Sequence, residues 1–303
     1  MGHPHVQLWS EIAKSTDRSV CAKEEEMENL RVVLVETRNP LNIGAVARAM
    51  SNFGAMRLRV VKPYEKAFRE AVSAVGAGKI LKGAEEFGSV REAVADCSLV
   101  VGTTAVGNRE IRQPLRGLEE AGEPLRDAMK RGKVAILFGS EKRGLSNEDL
   151  SYCYWLMRIP TREEHRSMNL GQAVAVVLYE VRRVESLELK VEREEKGFTT
   201  EGAEGPQSSL RRKETGKDLT QSAQRTSTEG TEKTELARME TVERIGEVLL
   251  EALRKSGYVG KRGERLAEEK LRRMLRRFVM DERDAEVLLG MMRKILWKVG
   301  EES

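Results

Sequence analysis

"RVVLVETRNPLNIGAVARAMSNFG", Arg31 to Gly54, passes directly from a β-branched apolar run into a stretch with helical character. An unbroken apolar segment from Val32 to Val35 suits a strand covered on both faces rather than one with a wet side. Pro40 and Gly44 shape a tight strand-to-helix entry, Asn42 is placed to cap the helix, and the helix is expected over 43–53. Arg48 and Asn52 follow Gly44 at four-residue spacing and so share one helix face. The same alternation recurs downstream. "RLRVV" (57–61), "LVVGT" (99–103), "VAILF" (134–138) and "YWLMRI" (154–159) read as further strands, with helical patterns at 65–74, 123–131 and 168–186. This order predicts an α/β domain with a mostly parallel sheet and helices on its faces.

A chain of 303 residues with 40% hydrophobic content can bury such a core, although aromatics make up only 5% and charged residues 34%. The net charge of +4 is too small to identify a polyanion partner, which must be argued from local clusters. Cys21, Cys97 and Cys153 are widely separated, which excludes a zinc ribbon and offers no disulfide framework; a reducing cytosol is expected. No apolar run approaches the ~20 residues of a membrane span, and no signal peptide is evident. His3 and His5 have no third ligand nearby, so no metal site is expected.

Four units follow from the composition: a poorly ordered extension (1–29), the α/β domain (30–190), a flexible charged linker (191–235) and a small all-α domain (236–303). In the last, Val242, Ile245, Leu249 and Leu253 mark one helix closed by Gly257. Leu266, Met274, Leu275 and Phe278 mark a second, and Asp281 caps a third carrying Leu288, Met292, Ile295 and Val299. Between Arg254 and Arg277 stand ten Lys/Arg against three Glu, with Arg272, Arg273, Arg276 and Arg277 at helical spacing. A charge run is commonly a solvated face, but this imbalance also fits a nucleic-acid surface.

Residues suited to chemistry gather at strand ends, where open α/β sheets place their sites. They fall in "NPLNIGAVARAMSNFG" (39–54), "GTTA" (102–105), "FGSEKRGLSNEDL" (138–150) and "IPTREEHRSMNLGQ" (159–172). Ser167 and Asn169 open the last helix, and two readings compete there: ordinary caps for its first N–H groups, or part of a site. Glu141 sits between Gly139 and Gly144 in a loop that also reads as a plain turn before a helix capped by Ser146. No GxGxxG follows a strand, "VGAGK" (75–79) is an incomplete P-loop, and His165 lacks a certified triad partner.

In order and spacing, "NPLNIGAVARAMSNFG", "FGSEKRGLSNEDL" and "IPTREEHRSMNLGQAVAVVLYEV" resemble the three signature motifs of the SPOUT methyltransferases. "SMNLGQAV", the first-motif pattern and the helical extension resemble the TrmJ-like branch, related to the TrmH/SpoU group. The likeness is strong over 30–187 and loose over 236–300. It implies a deep trefoil knot at the C-terminal part of the sheet, which ordinary connection rules would not predict. It implies a homodimer and transfer of a methyl group from S-adenosylmethionine, leaving S-adenosylhomocysteine, to the ribose 2′-hydroxyl of tRNA nucleotide 32 in the cytoplasm.

Carried over by motif, the cofactor site comprises Thr103, Thr104, Ala105, Gly139, Glu141, Gly144, Ile159, Ser167, Met168, Asn169 and Leu170. The catalytic set is Arg48, Asn42, Glu141, Ser167 and Asn169, with Arg48 favoured as a phosphate or hydroxyl clamp because its pKa makes it a poor base. A transiently neutral, phosphate-coupled Arg48 is the alternative. RNA contacts are expected from Arg48, Arg272, Arg273, Arg276 and Arg277. A ribosomal RNA or another tRNA site as substrate, or a noncatalytic RNA-binding protein of this fold, are the rival functions.

Overall fold

The computed structural model describes residues 26–64, 78–105, 111–183, 235–260 and 263–301. The expected helix at 65–74, the N-terminal tail up to residue 25 and the linker up to residue 234 lie outside them. Seven strands form one sheet: β1 (Leu30–Val35), β2 (Arg57–Val61), β3 (Glu85–Phe87), β4 (Leu99–Thr103), β5 (Leu115–Gly117), β6 (Val134–Phe138) and β7 (Trp155–Arg158). Their order is β3-β2-β1-β6-β4-β7-β5 and every pairing is parallel. The predicted strands are all present. The two three-residue strands, β3 and β5, carry charged residues and no apolar run, so periodicity does not reveal them.

Alternate residues of the central strands serve two cores. Val32, Leu34, Ile136 and Phe138 face one, while Val33, Val35, Ala135 and Leu137 face the other. The first core is covered by α1 (Pro40–Phe53), α2 (Gly78–Lys82), α4 (Leu118–Met129) and a helix over 170–183, here α6. It also takes Met27, three residues before the expected boundary at residue 30. Residues of α3 (Val90–Ala93) and α5 (Asn147–Ser151) close the second core.

Helix α1 corrects one expectation. Asn39, not Asn42, is its cap: the Asn39 side chain accepts from Leu41 N at 3.0 Å, and Pro40 occupies the first turn. Asn42 lies inside the helix, so its amide is released for other partners.

The C-terminal helices are α7 (Met239–Lys255), α8 (Glu264–Leu275) and α9 (Glu282–Glu301). Asp281 caps α9, accepting from Asp284 N at 2.7 Å. The expected apolar face of α8 does not form: Leu266, Met274 and Phe278 are exposed, and its buried residues are Arg272 and Leu275. Nor is this bundle held away from the sheet. Met239 is fully buried in the second core, its N–H donates to Cys97 O (2.8 Å), and Glu240 N donates to Ala95 O (2.9 Å).

Candidate active site

Strands β6, β4 and β7 are neighbours in the sheet, and the loops leaving their C-terminal ends enclose a cavity of about 740 Å³. Its floor and walls come from Thr103–Ala105 after β4, Phe138–Leu145 after β6, and Met157, Ile159, Thr161 and Arg166–Leu170 after β7. All eleven residues expected at a cofactor site line it, and Asn42 joins them from α1.

Backbone geometry builds the β6 loop. Ser140 and Gly144 form an isolated antiparallel bridge, with Gly144 N donating to Ser140 O at 2.8 Å. Gly144 sits at φ +66°, in the left-handed region that favours glycine. A Cβ on Gly139 would lie 2.1 Å from the Gly144 carbonyl carbon, so the two arms of the loop touch through bare backbone. Beyond the loop, Ser146 caps α5 in a reciprocal box with Asp149. On the β4 side, Thr103 Oγ1 donates to Leu137 O (2.9 Å) and Thr104 N to Met157 O (3.0 Å), which ties the three cavity strands together at their ends.

Three side chains from three distant segments meet at the rim. Asn42 Nδ2 donates to Glu141 Oε1 at 2.8 Å, and Asn169 Nδ2 donates to Asn42 Oδ1 at 2.9 Å. The other end of Asn169 caps α6, its Oδ1 accepting from Gly171 N (2.9 Å) and Gln172 N (3.4 Å). One amide therefore does two things: its oxygen caps the helix, and its nitrogen holds Asn42 at the cavity rim. Ser167 is exposed on the cavity wall, and its hydroxyl has no hydrogen-bond partner among the described residues. It is available to a ligand.

Arg48 is not brought to this cavity. It is exposed on α1, six residues beyond Asn42, about 9 Å along the axis at the helical rise. The cations at the cavity are instead Lys142, Arg143 and Arg166, none singled out by the sequence reading although all lie within the quoted stretches. Only knowledge of which loop face turns inward would have found them.

The basic cluster of α8 also stands differently. Arg272 and Arg276 are buried at 8% and 3% exposure. Arg272 binds Glu268 (2.7 Å) and Glu243 (3.3 Å), and Arg276 pairs with Glu243. Arg273 bonds Glu269 at 3.5 Å, and Arg277 is exposed. Acidic partners from α7 and from one helical turn earlier thus pair with Arg272, Arg273 and Arg276, and burial removes Arg272 and Arg276 from the surface where RNA contacts were expected, while Arg277 stays on it. Among the described residues no cluster of His, Cys, Asp and Glu could hold a metal, and no helix is long and apolar enough to cross a membrane.

Comparison with known proteins agrees with this architecture. Residues 29–179 match the SpoU rRNA Methylase family. The chain is 39% identical over 157 residues to the tRNA (cytidine/uridine-2'-O-)-methyltransferase TrmJ of Sodalis glossinidius, covering 52% of this chain and 61% of that protein. It is 40% identical over 157 residues to the protein of the same name from Cronobacter sakazakii, covering 52% and 64%. In both, the match spans less than two-thirds of the relative's length. A longer correspondence is structural: TrmJ from Z. mobilis ZM4 superposes with a TM-score of 0.65 at 27% identity, over 88% of this chain and 98% of that one. That overlap is too long to stop at the sheet domain. A parallel sheet whose cavity is built by β6, β4 and β7, matched from the residue before β1 into α6, means that the chain belongs to the SpoU rRNA Methylase family.

Proposed function

We propose that this protein is an S-adenosylmethionine-dependent tRNA methyltransferase that modifies the ribose 2′-hydroxyl of nucleotide 32, a cytidine or uridine, in the anticodon loop. The observation that carries the reading is the Asn42–Glu141–Asn169 network on the rim of the strand-end cavity. The names of the curated relatives support the reaction class and tRNA as substrate.

The cavity fits the cofactor in size and lining. Small-molecule sites commonly enclose about 300–1,000 Å³ with apolar walls and a few polar groups. Here Phe138, Leu145, Met157, Ile159 and Leu170 supply the walls, and Thr104, Glu141, Ser167 and exposed backbone supply the polar contacts. The cofactor, when bound, supplies an electrophilic methyl group on a positively charged sulfur. The protein's part is to hold a ribose hydroxyl in line with it, an arrangement that can lower the barrier by several kcal/mol.

Asn42 and Asn169 fix each other and present Glu141 at the rim, while Ser167 offers a hydroxyl to the ribose. Lys142, Arg143 and Arg166 place positive charge where the flanking phosphates would run.

The reading extends to a homodimer. Leu41 and Tyr179 are 80% and 56% exposed on α1 and α6, two helices packed so closely that a Cβ on Gly171 would lie 2.6 Å from Ala45 Cβ. A second copy covering these helices would bring its own Arg48 toward the cavity rim. The threaded knot belongs to the same reading and is supported by the strand order, in which β6 and β7 flank β4.

The direct test is incubation of unmodified bulk tRNA with protein and S-adenosylmethionine, followed by mapping of ribose methylation. New methylation confined to nucleotide 32 is expected. Methylation elsewhere in tRNA, or only in ribosomal RNA, would replace the substrate, and none at all would overturn the enzymatic reading.

A further inference from the structure

Helix α8 reaches the sheet domain at α5 and the turn that follows it. Arg272 Nη1 donates to Ser151 Oγ (3.0 Å), and its guanidinium lies 4.3 Å from the centre of the Tyr152 ring. Arg276 lies 5.5 Å from the centre of the Tyr154 ring and pairs with Glu243. Its Nε and Nη1 are buried without a hydrogen-bond partner. Buried charge of this kind carries a desolvation penalty that a surface RNA contact would not require. The two arginines therefore call for a role at the place where they are inserted.

That place lies between two walls of the cavity. Residues 146–154 join the β6 loop, which contributes Phe138–Leu145, to β7, which leads to Met157 and Ile159. The same segment abuts the third wall: a Cβ on Gly102, next to Thr103, would lie 2.8 Å from Cys153 Sγ. Tyr154 N is also bound to Val100 O of β4 at 2.9 Å. A displacement of Tyr152 or Tyr154 would thus be felt at β4, at the β6 loop and at β7 together.

We propose that Arg272 and Arg276 are positioning residues: α8 braces residues 146–154 from outside, and docking of the helical domain sets the shape and ligand affinity of the cavity. Neither arginine lines the cavity, so the effect is indirect. Linkage makes it reciprocal. A partner that shifted α8 on binding would change ligand affinity by the factor by which the ligand changes affinity for that partner. The ligand named rests on the function proposed above; the bracing does not.

The test uses the full chain with Arg272→Met, which keeps a long apolar stem but removes the charge and its donors. Ser151→Ala removes one acceptor, and Lys270→Ala, on the same helix, is the exposed control. Amide exchange is read without ligand, and S-adenosylhomocysteine binding by calorimetry. In Arg272→Met, exchange at Gly144, Leu150 and Cys153 should rise about 10-fold while β1 amides stay as in wild type, the pattern of local rather than global opening. Ligand affinity should fall at least about 5-fold, the low end of usual coupling between sites. Lys270→Ala should change neither.

Wild-type exchange over 139–154 in a folded Arg272→Met protein would overturn the proposal, as would an equal rise at β1. If that variant does not fold, Ser151→Ala faces the same exchange criterion. Absence of binding heat in the wild type would defeat the cofactor reading, while the exchange comparison would still decide the bracing.

Discussion

Asn169 shows how far a single residue could be read from sequence. Its place at the start of an apolar helix made capping legible, because an N-cap is a local matter of one side chain and the next few N–H groups. Its bond to Asn42 joins positions 127 apart in the chain, and no periodicity encodes that. Asn42 reads in the sequence as the cap of α1, and Asn39 holds that cap instead. Replacing Asn42 by Ala should remove both bonds to its neighbours on a half-exposed rim. Stability should change little, while kcat falls about 10²-fold, the scale of a small misplacement of reacting groups. Methyl transfer and melting temperature measured on the same preparation check this.

Asp96 is a second residue with a readable consequence. Burial would raise its carboxyl, but hydrogen bonds from Arg59 (Nη2, 3.0 Å) and Lys133 (Nζ, 2.9 Å), with their charges, hold it well below the carboxylate range. A depressed folded-state value stabilises above the unfolded carboxylate value of about 3.9, and the benefit fades as pH falls below it. Asp96→Asn should therefore lose stability at pH 7, by about 1–3 kcal/mol once its 36% exposure is allowed for. The gap from wild type should narrow below about pH 4. Denaturant melts of both proteins at pH 7 and pH 3 test the sign.

At the level of elements, the long regular ones were legible and the short or charged ones were not. β1, β2, β4, β6 and β7 announced themselves because strands buried on both faces need continuous apolar runs. The buried face of α8 is not legible, because an arginine buried against tyrosine rings and glutamates looks, in sequence, like an arginine in water. The β6 loop was legible only as a pair of glycines around an acid. Its structure adds the reason: Gly139 permits backbone-to-backbone contact with Gly144, and Gly144 needs its positive φ.

The two positions should therefore respond differently. Gly139→Ala forces the loop arms apart, so calorimetric binding of S-adenosylmethionine should be lost, or weakened at least about 10²-fold. Gly144→Ala meets open space and should cost only the left-handed conformation, about 1–2 kcal/mol of stability, with binding retained. Equal binding losses in the two variants would show that backbone contact is not what shapes the loop.

For the whole molecule, the sequence showed a sheet domain and a helical bundle but not their attachment, because Met239 and Arg272 act on residues more than a hundred positions away. The homodimer belongs to the proposed reading, and its test starts from a specific separation. Asn42, Glu141 and Asn169 converge on the cavity within one chain, whereas Arg48, from the same helix as Asn42, stays outside it. On the packed pair α1 and α6, Leu41 in the first turn of α1 and Tyr179, whose ring lies against Phe53 at the other end, are exposed apolar groups that association would remove from water. In a two-fold dimer each such surface meets its own copy, so each cavity would take its rim network from one protomer and Arg48 from the other.

The consequence is testable without a structure of the dimer. Arg48→Ala and Asn169→Ala chains should each be inactive as homodimers. In a mixed dimer, one cavity combines an intact Asn169 with an intact Arg48, and the other carries both losses. Mixed samples, with heterodimers separated by differently tagged chains, should recover roughly half the activity per dimer because one of two sites is whole. Recovery must follow heterodimer content and vanish when the chains are kept apart. Verified heterodimers with no activity would show that Arg48 serves the cavity of its own chain or none.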